Sequence, residues 1–181
     1  MQIKENRVYY VIAAVAVSAT GLFLAYIYSL FPGVFTGVFA PTNASMFQQM
    51  KMLLWPAVLF MLIHECLFKS GDFEGQCLYL LISLISVPCV IALCSYIYSD
   101  KLSLVNLCAV NAGVLVFFTL CYIGRKRTQP HSAFEKVAAP ILMIAIITVF
   151  VAFSFNPPKN FFFKGPTETV ISQRLSDRTP S

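Results

Sequence analysis

Residues 39–69, FAPTNASMFQQMKMLLWPAVLFMLIHECLFK, decide how the rest of the chain is read. A polar stretch that suits a helix start leads into an apolar run ending at Phe68, with Lys69 closing it. The run carries the single tryptophan, Trp55, and a mid-run proline, Pro56. His64 and Glu65 stand well inside it and are ionisable. About 20 apolar residues cross the hydrocarbon core of a bilayer. With no water there, the backbone must satisfy its own polar groups, so a spanning run of this kind is a helix.

The composition extends that reading to the whole chain, which is 58% hydrophobic and 12% charged over 181 residues. Soluble domains carry about 25% charged residues. Here every face of every long segment is apolar, so the chain is expected to be an all-α, polytopic integral membrane bundle. The net charge of +5 does not point to nucleic acid. The cations sit at the ends of hydrophobic runs, where they set topology. Met1 to Arg7 resembles the basic start of a signal peptide. The apolar run from Val8 to Leu30 outlasts the about 7–15 residues of a secretory core, so it reads as a retained span.

Five spans are expected, at about 8–30, 51–68, 77–98, 102–124 and 137–155, followed by a polar and aromatic tail over 156–181. In the first span Ala14, Ser18, Gly21 and Ala25 fall on one helical face. Small residues let another helix approach closely, so this is a helix-packing face. Phe31 to Pro41, FPGVFTGVFAP, is too interrupted for a regular helix and too apolar for a free loop. It reads as an interfacial or re-entrant segment. Thr42 or Asn43 can cap the next helix, from about Ala44 to Phe68. Gln48, Lys51 and Trp55 share one side of it, with Lys51 placed to stack on Trp55 or to reach the headgroups. Pro56 frees the Met52 carbonyl and predicts a kink, as Pro88 does in the third span.

Lys69 to Gln76 reads as a polar loop, Ser99 to Lys101 as a tight turn, and Arg125 to Lys136 as the most basic loop. Pro140 is expected in the first turn of the fifth span. The positive-inside rule sets the orientation. Lys4, Arg7, Lys69, Arg125, Lys126, Arg127 and Lys136 fall on one side, against Lys51 and Lys101 in the short loops opposite. The tail adds Lys159, Lys164, Arg174 and Arg178, the last two far from the membrane. The N-terminus is therefore expected in the cytoplasm and the C-terminus outside.

Asn43 to Phe68 resembles a signature of an uncharacterised family of small bacterial multi-spanning membrane proteins, a domain of unknown function. Pro41, Asn43, Ser45, Phe47, Lys51 and Pro56 carry the resemblance. So do Pro157, Pro158, Phe163 and Pro166 after the last span. The resemblance implies a bacterial plasma membrane and brings no known activity. Where the pattern has acidic residues and a histidine, this chain has Ala44, Gln48 and Gln49, which removes that cluster's proton or metal chemistry.

His64 and Glu65 are the sharpest chemical feature, since ionisable groups inside a span are costly and often functional. They also lie near a span end, and neighbouring residues point about 100° apart on a helix, so anchoring or interhelical bonding competes with a proton or substrate path. Gln48, Gln49 and Lys51 can line a polar outer vestibule with Asn43, or simply form a solvated helix start. Asn106 and Asn111 suggest interhelical hydrogen bonds. The six cysteines, Cys66, Cys77, Cys89, Cys94, Cys108 and Cys121, contain no CxxC pair and read as small apolar packing residues. Asn43-Ala44-Ser45 matches a glycosylation sequon, meaningful only in a eukaryotic host. The aromatic tail at Phe161 to Phe163 is either an interfacial belt or a docking strip. No acid, base and nucleophile assemble into a catalytic set, so no enzyme activity, cofactor or metal is expected.

Two functions follow. One is a non-enzymatic subunit or scaffold acting by helix–helix association, motivated by scarce intramembrane charge and the small-residue face. Its partners are the lipid bilayer, other membrane subunits or further copies of itself. The alternative is a small permease or channel with a path past His64 and Glu65 and the kinks at Pro56 and Pro88.

Overall fold

The computed structural model describes residues 7–43, 45–68, 73–97, 102–125, 133–156 and 158, which form six helices and no strand. These are α1 (Arg7–Leu30), α2 (Val34–Phe39), α3 (Met46–Phe68), α4 (Phe73–Ile97), α5 (Leu102–Arg125) and α6 (Ala133–Phe155). All but α2 are long and apolar enough to cross a membrane, giving five candidate spans in a polytopic helical bundle. Lys4, Lys69, Lys101, Lys126, Arg127, the turn at 99–101 and the aromatic tail at 161–163 lie outside the described residues.

The three central helices are α3, α4 and α5, with α4 and α5 making the most extensive pair. α1 lies against α3 and α5, α6 against α4, and the short α2 touches both α1 and α6. The core is built from Leu53, Leu54, Ala57, Leu80, Val87, Ala109, Val114 and Phe117, all essentially inaccessible. α1 and α6 turn Val8, Val11, Ile12 and Val15, and Val137, Ile141 and Ile144, outward. Lipid is as apolar as those side chains, so their exposure carries no penalty in a bilayer.

The crossing of α1 and α3 shows why the small residues sit where they do. A Cβ placed on Gly21 would lie 2.5 Å from the backbone oxygen of Met52. Residue 56 is a proline, so that carbonyl has no i+4 amide to accept from. The glycine brings α1 onto the carbonyl that the proline released, and a neighbouring helix covering such a group is what makes proline tolerable inside a span. Ala14 is buried beside this crossing, and Ser18 and Ala25 are partly so. The neighbours of α1 are α3, met at Gly21, and α5 of the same chain.

Several helix limits differ from the sequence reading. α4 begins at Phe73, so Glu74 and Gln76 belong to its first turn rather than to a loop. The acidic Glu74 there suits the positive end of the helix dipole. α6 begins at Ala133, which places Pro140 well inside the helix and not in its first turn. Phe31 to Pro41 does contain a regular helix, the six-residue α2, ended before Pro41. Thr36 stabilises its start: the Gly33 N–H donates to Thr36 Oγ1 at 3.0 Å, and that hydroxyl reaches the Phe31 carbonyl at 2.8 Å.

The cap of α3 is Ser45, whose Oγ accepts from the Gln48 N–H at 3.4 Å. Asn43 instead forms a turn of its own, Oδ1 accepting from the Ser45 N–H at 3.0 Å. Asn111 donates to the Leu107 carbonyl of its own helix at 2.8 Å, not to another helix. Cys77 and Cys121 are buried, whereas Cys66, Cys89 and Cys108 are exposed free thiols; the side chain of Cys94 is outside the described set.

Candidate functional site

The polar side chains buried along α3 form two groups, one at each end. Lys51 and His64 are thirteen positions apart in the numbering, about 20 Å along a helix axis. Leu53, Leu54, Ala57 and Met61 separate them, each at most 1% exposed.

At the first end Lys51 is fully buried, with 0% exposure. Its Nζ donates to the Gly37 carbonyl at 2.7 Å and lies 5.6 Å from the centre of the Phe47 ring. It neither stacks on Trp55 nor reaches a surface, so it is not the loop cation that the charge pattern suggested. Trp55, one turn on, donates from Nε1 to the Val38 carbonyl at 3.0 Å, and its ring meets Phe39 at 4.9 Å. Gln48, one turn back, accepts the Thr42 N–H on Oε1 at 3.3 Å. The side shared by Gln48, Lys51 and Trp55 is therefore a staple. It holds α2 and the connection after it over the end of the bundle. The last carbonyls of a helix lack intrahelical donors, which is what Lys51 and Trp55 supply to α2.

Among the described residues no carboxylate pairs with Lys51. A charged side chain costs about 2.5–3.5 kcal/mol at the centre of a span and less toward its ends, where Lys51 lies, and one carbonyl and one ring face offset part of that cost. Phe47, the ring beside the amine, stacks on Phe150 at 4.5 Å and lies 6.1 Å from Phe153.

At the second end His64 is 5% exposed and faces Gln76, with Nε2 of the amide 3.3 Å from Nδ1 of the ring. With Nδ1 as acceptor, the neutral ring carries its proton on Nε2. Tyr9 and Phe60 flank it at 5.9 and 5.6 Å between ring centres. Tyr10 meets Tyr122 edge-on, and Arg7 donates to the Tyr122 hydroxyl at 2.9 Å. Gln76 is 5% exposed, and its Oε1 is buried without a hydrogen-bond partner. Such an atom costs about 1–3 kcal/mol unless a donor reaches it.

Of the residues singled out from the sequence, Gln48 and Lys51 share one group with the neighbourhood of Asn43, though Asn43 itself is exposed. His64 belongs to the other group. Glu65 is half-buried and, as the next residue along the helix, leaves α3 about 100° away from His64. Gln76 and the tyrosines were not anticipated. A signal for Gln76 was available: Gln76, Leu80, Ser83 and Val87 recur at helical spacing and are all buried.

A family model described as a family of unknown function, DUF6512, matches residues 1–169. The chain belongs to that family. The DUF6512 match takes in all six helices, the Pro41–Pro56 signature and the Pro157 to Pro166 ending. No curated protein and no solved structure matches the chain. DUF6512 thus fixes the kinship of both groups without assigning either a role.

Proposed function

We propose that this chain is a non-enzymatic membrane permease for a small polar or charged species, in a closed conformation. The observation that carries the reading is the placement of buried polar groups at both ends of α3. An apolar layer and the Pro56 interruption lie between them. Ionisable residues that face the interior of a span are costly to bury and often mark substrate or ion paths. Opening would require α3 to bend at Pro56, where one backbone hydrogen bond is already missing.

The scaffold reading loses part of one motive, because Gly21 of the Ala14, Ser18, Gly21 and Ala25 face lies against α3 of the same chain. It keeps another: α6 leaves most of its apolar surface outside the bundle, which a second subunit or another copy would cover as well as lipid does. The mass of the particle in mild detergent separates these. A stoichiometric second polypeptide favours the subunit role, and a lone chain or homo-oligomer favours the permease.

The direct test is swelling of liposomes carrying the protein, over small anions, cations and neutral solutes. The expected result is a solute-selective rate above protein-free liposomes that falls in His64→Ala and Glu65→Gln. Rates equal to protein-free liposomes for every solute would end this reading.

A further inference from the structure

We infer that the Lys51 end of α3 is a binding site for an organic monoanion, an oxyanion head on an apolar body, and that the C-terminus of α2 occupies it in this conformation. The inference rests on the permease reading only in naming the class of its substrate; the site itself stands on its own geometry. Four observations lead to it.

The first is charge. Lys51 has no exposed surface, and no described carboxylate pairs with it. Among the described residues a protonated Lys51 therefore meets no counter-charge. The second is the donor set. Lys51 Nζ and Trp55 Nε1 lie one turn apart and both end on carbonyl oxygens, those of Gly37 and Val38. Oxygen acceptors are what the pair selects, and a charged oxygen binds an ammonium more strongly than a carbonyl does. The third is the wall. Phe39 packs on the Trp55 ring and Phe47 lies beside Lys51 Nζ, with Phe150 and Phe153 packed on Phe47 behind it, aromatic surroundings suited to an apolar body.

The fourth is what occupies the donors now. α2 is six residues long, lies between Pro32 and Pro41, and reaches the bundle mainly through Gly37, Val38 and Ala40. So short a helix has little stability of its own. Its other side is open, with Phe35 at 77% exposure beside Val34 and Phe31. An oxyanion that takes over Lys51 and Trp55 releases two of the three hydrogen bonds that staple this segment. The α2 carbonyls act as an internal stand-in for the ligand.

The protein contains one tryptophan, and it is in the site. Trp55 emission of the full chain, purified in neutral detergent and stripped of lipid, therefore reports occupancy without a label. Octanoate is titrated against acetate, which has the head without the body, and phosphatidylglycerol against neutral phosphatidylcholine. The expected result is a saturable change with octanoate, or with phosphatidylglycerol alone if the anion comes from the bilayer, and little with acetate or phosphatidylcholine. Lys51→Gln keeps a donor for Gly37 but removes the charge, and is expected to weaken binding roughly tenfold or more. Lys51→Arg is expected to retain most of it.

Hydrogen exchange on the unmodified protein keeps the test independent of any variant: amides of residues 34–40 must exchange faster when octanoate or phosphatidylglycerol is bound. The inference is overturned by emission and exchange that respond to neither anion. An equal response in Lys51→Gln, or equal binding of acetate, also overturns it. Binding without liposome flux leaves the site standing and ends the permease reading. Flux without Lys51-dependent binding does the reverse.

Discussion

The two ends of α3 solve the same problem differently. At the Lys51 end the helix is enclosed on all sides, residues 51–54 being buried without exception. Gln48, Lys51 and Trp55 there each meet a backbone partner from residues 37–42, close in sequence. At the His64 end the helix is peripheral, with Leu59, Leu62, Ile63 and Leu67 facing out. Its buried histidine depends on Gln76, on another helix, and that amide keeps one oxygen unpartnered. Local partners give Gln48, Lys51 and Trp55 one backbone hydrogen bond each but no counter-charge for Lys51, while partners set by tertiary packing leave the second end with an unpartnered oxygen. Spare hydrogen-bonding capacity in a buried place is where a water or a solute gains most.

The change with the largest expected effect disturbs both ends together. Gly21→Leu pushes a side chain into the Met52 backbone oxygen, which cannot move without shifting α3. Overpacking of this kind costs about 1–3 kcal/mol or more. Thermal unfolding in detergent, followed by circular dichroism and Trp55 emission, should show a large drop in midpoint. An unchanged midpoint would mean that α1 does not sit on α3 as described.

Lys51→Met comes next and separates the ends. It leaves the Gly37 carbonyl without its donor, at a cost of about 1–3 kcal/mol. Hydrogen exchange should accelerate over 34–40 and stay as it was over 76–83. Acceleration at both would show that the ends are coupled rather than independent.

The two glutamines give the sharpest contrast. Gln48→Leu loses the bond from the Thr42 N–H and should destabilise by about 0.5–1.5 kcal/mol. Gln76→Leu removes an oxygen that already lacks a partner, together with one bond to His64. The relief of one unpartnered buried oxygen and the loss of the amide donor to the buried His64 Nδ1 are each worth about 1–3 kcal/mol and oppose each other, so the net change should be small, with either sign. Paired melts decide it. A loss in Gln76→Leu larger than in Gln48→Leu would show that the Gln76 oxygen is in fact bonded, for instance to a resident water.

Much of the architecture was legible in the residues, and the site only partly. The side shared by Gln48, Lys51 and Trp55 could be read from spacing, but not what it touches. The segment it holds looked too broken to form a helix, and α2 is ordered by those three side chains. Asn43 looked like the cap because its side chain can serve, yet Ser45 lies one residue before the first turn. Gln76 was assigned to a loop because KSGDFEGQ is polar; the packing of Leu80, Ser83 and Val87 extends α4 back through it.

By itself the sequence determined five long apolar helices, the interruptions at Pro56 and Pro88, and kinship with DUF6512. Those follow from hydropathy, backbone chemistry and motif, each of which is local. Only the tertiary structure decided which face of each helix is interior. In a bilayer an isoleucine is as well accommodated by lipid as by a core, so apolar residues do not report their own burial. The small and polar ones do, through what they contact: Gly21 on Met52, Lys51 on Gly37, and His64 on Gln76.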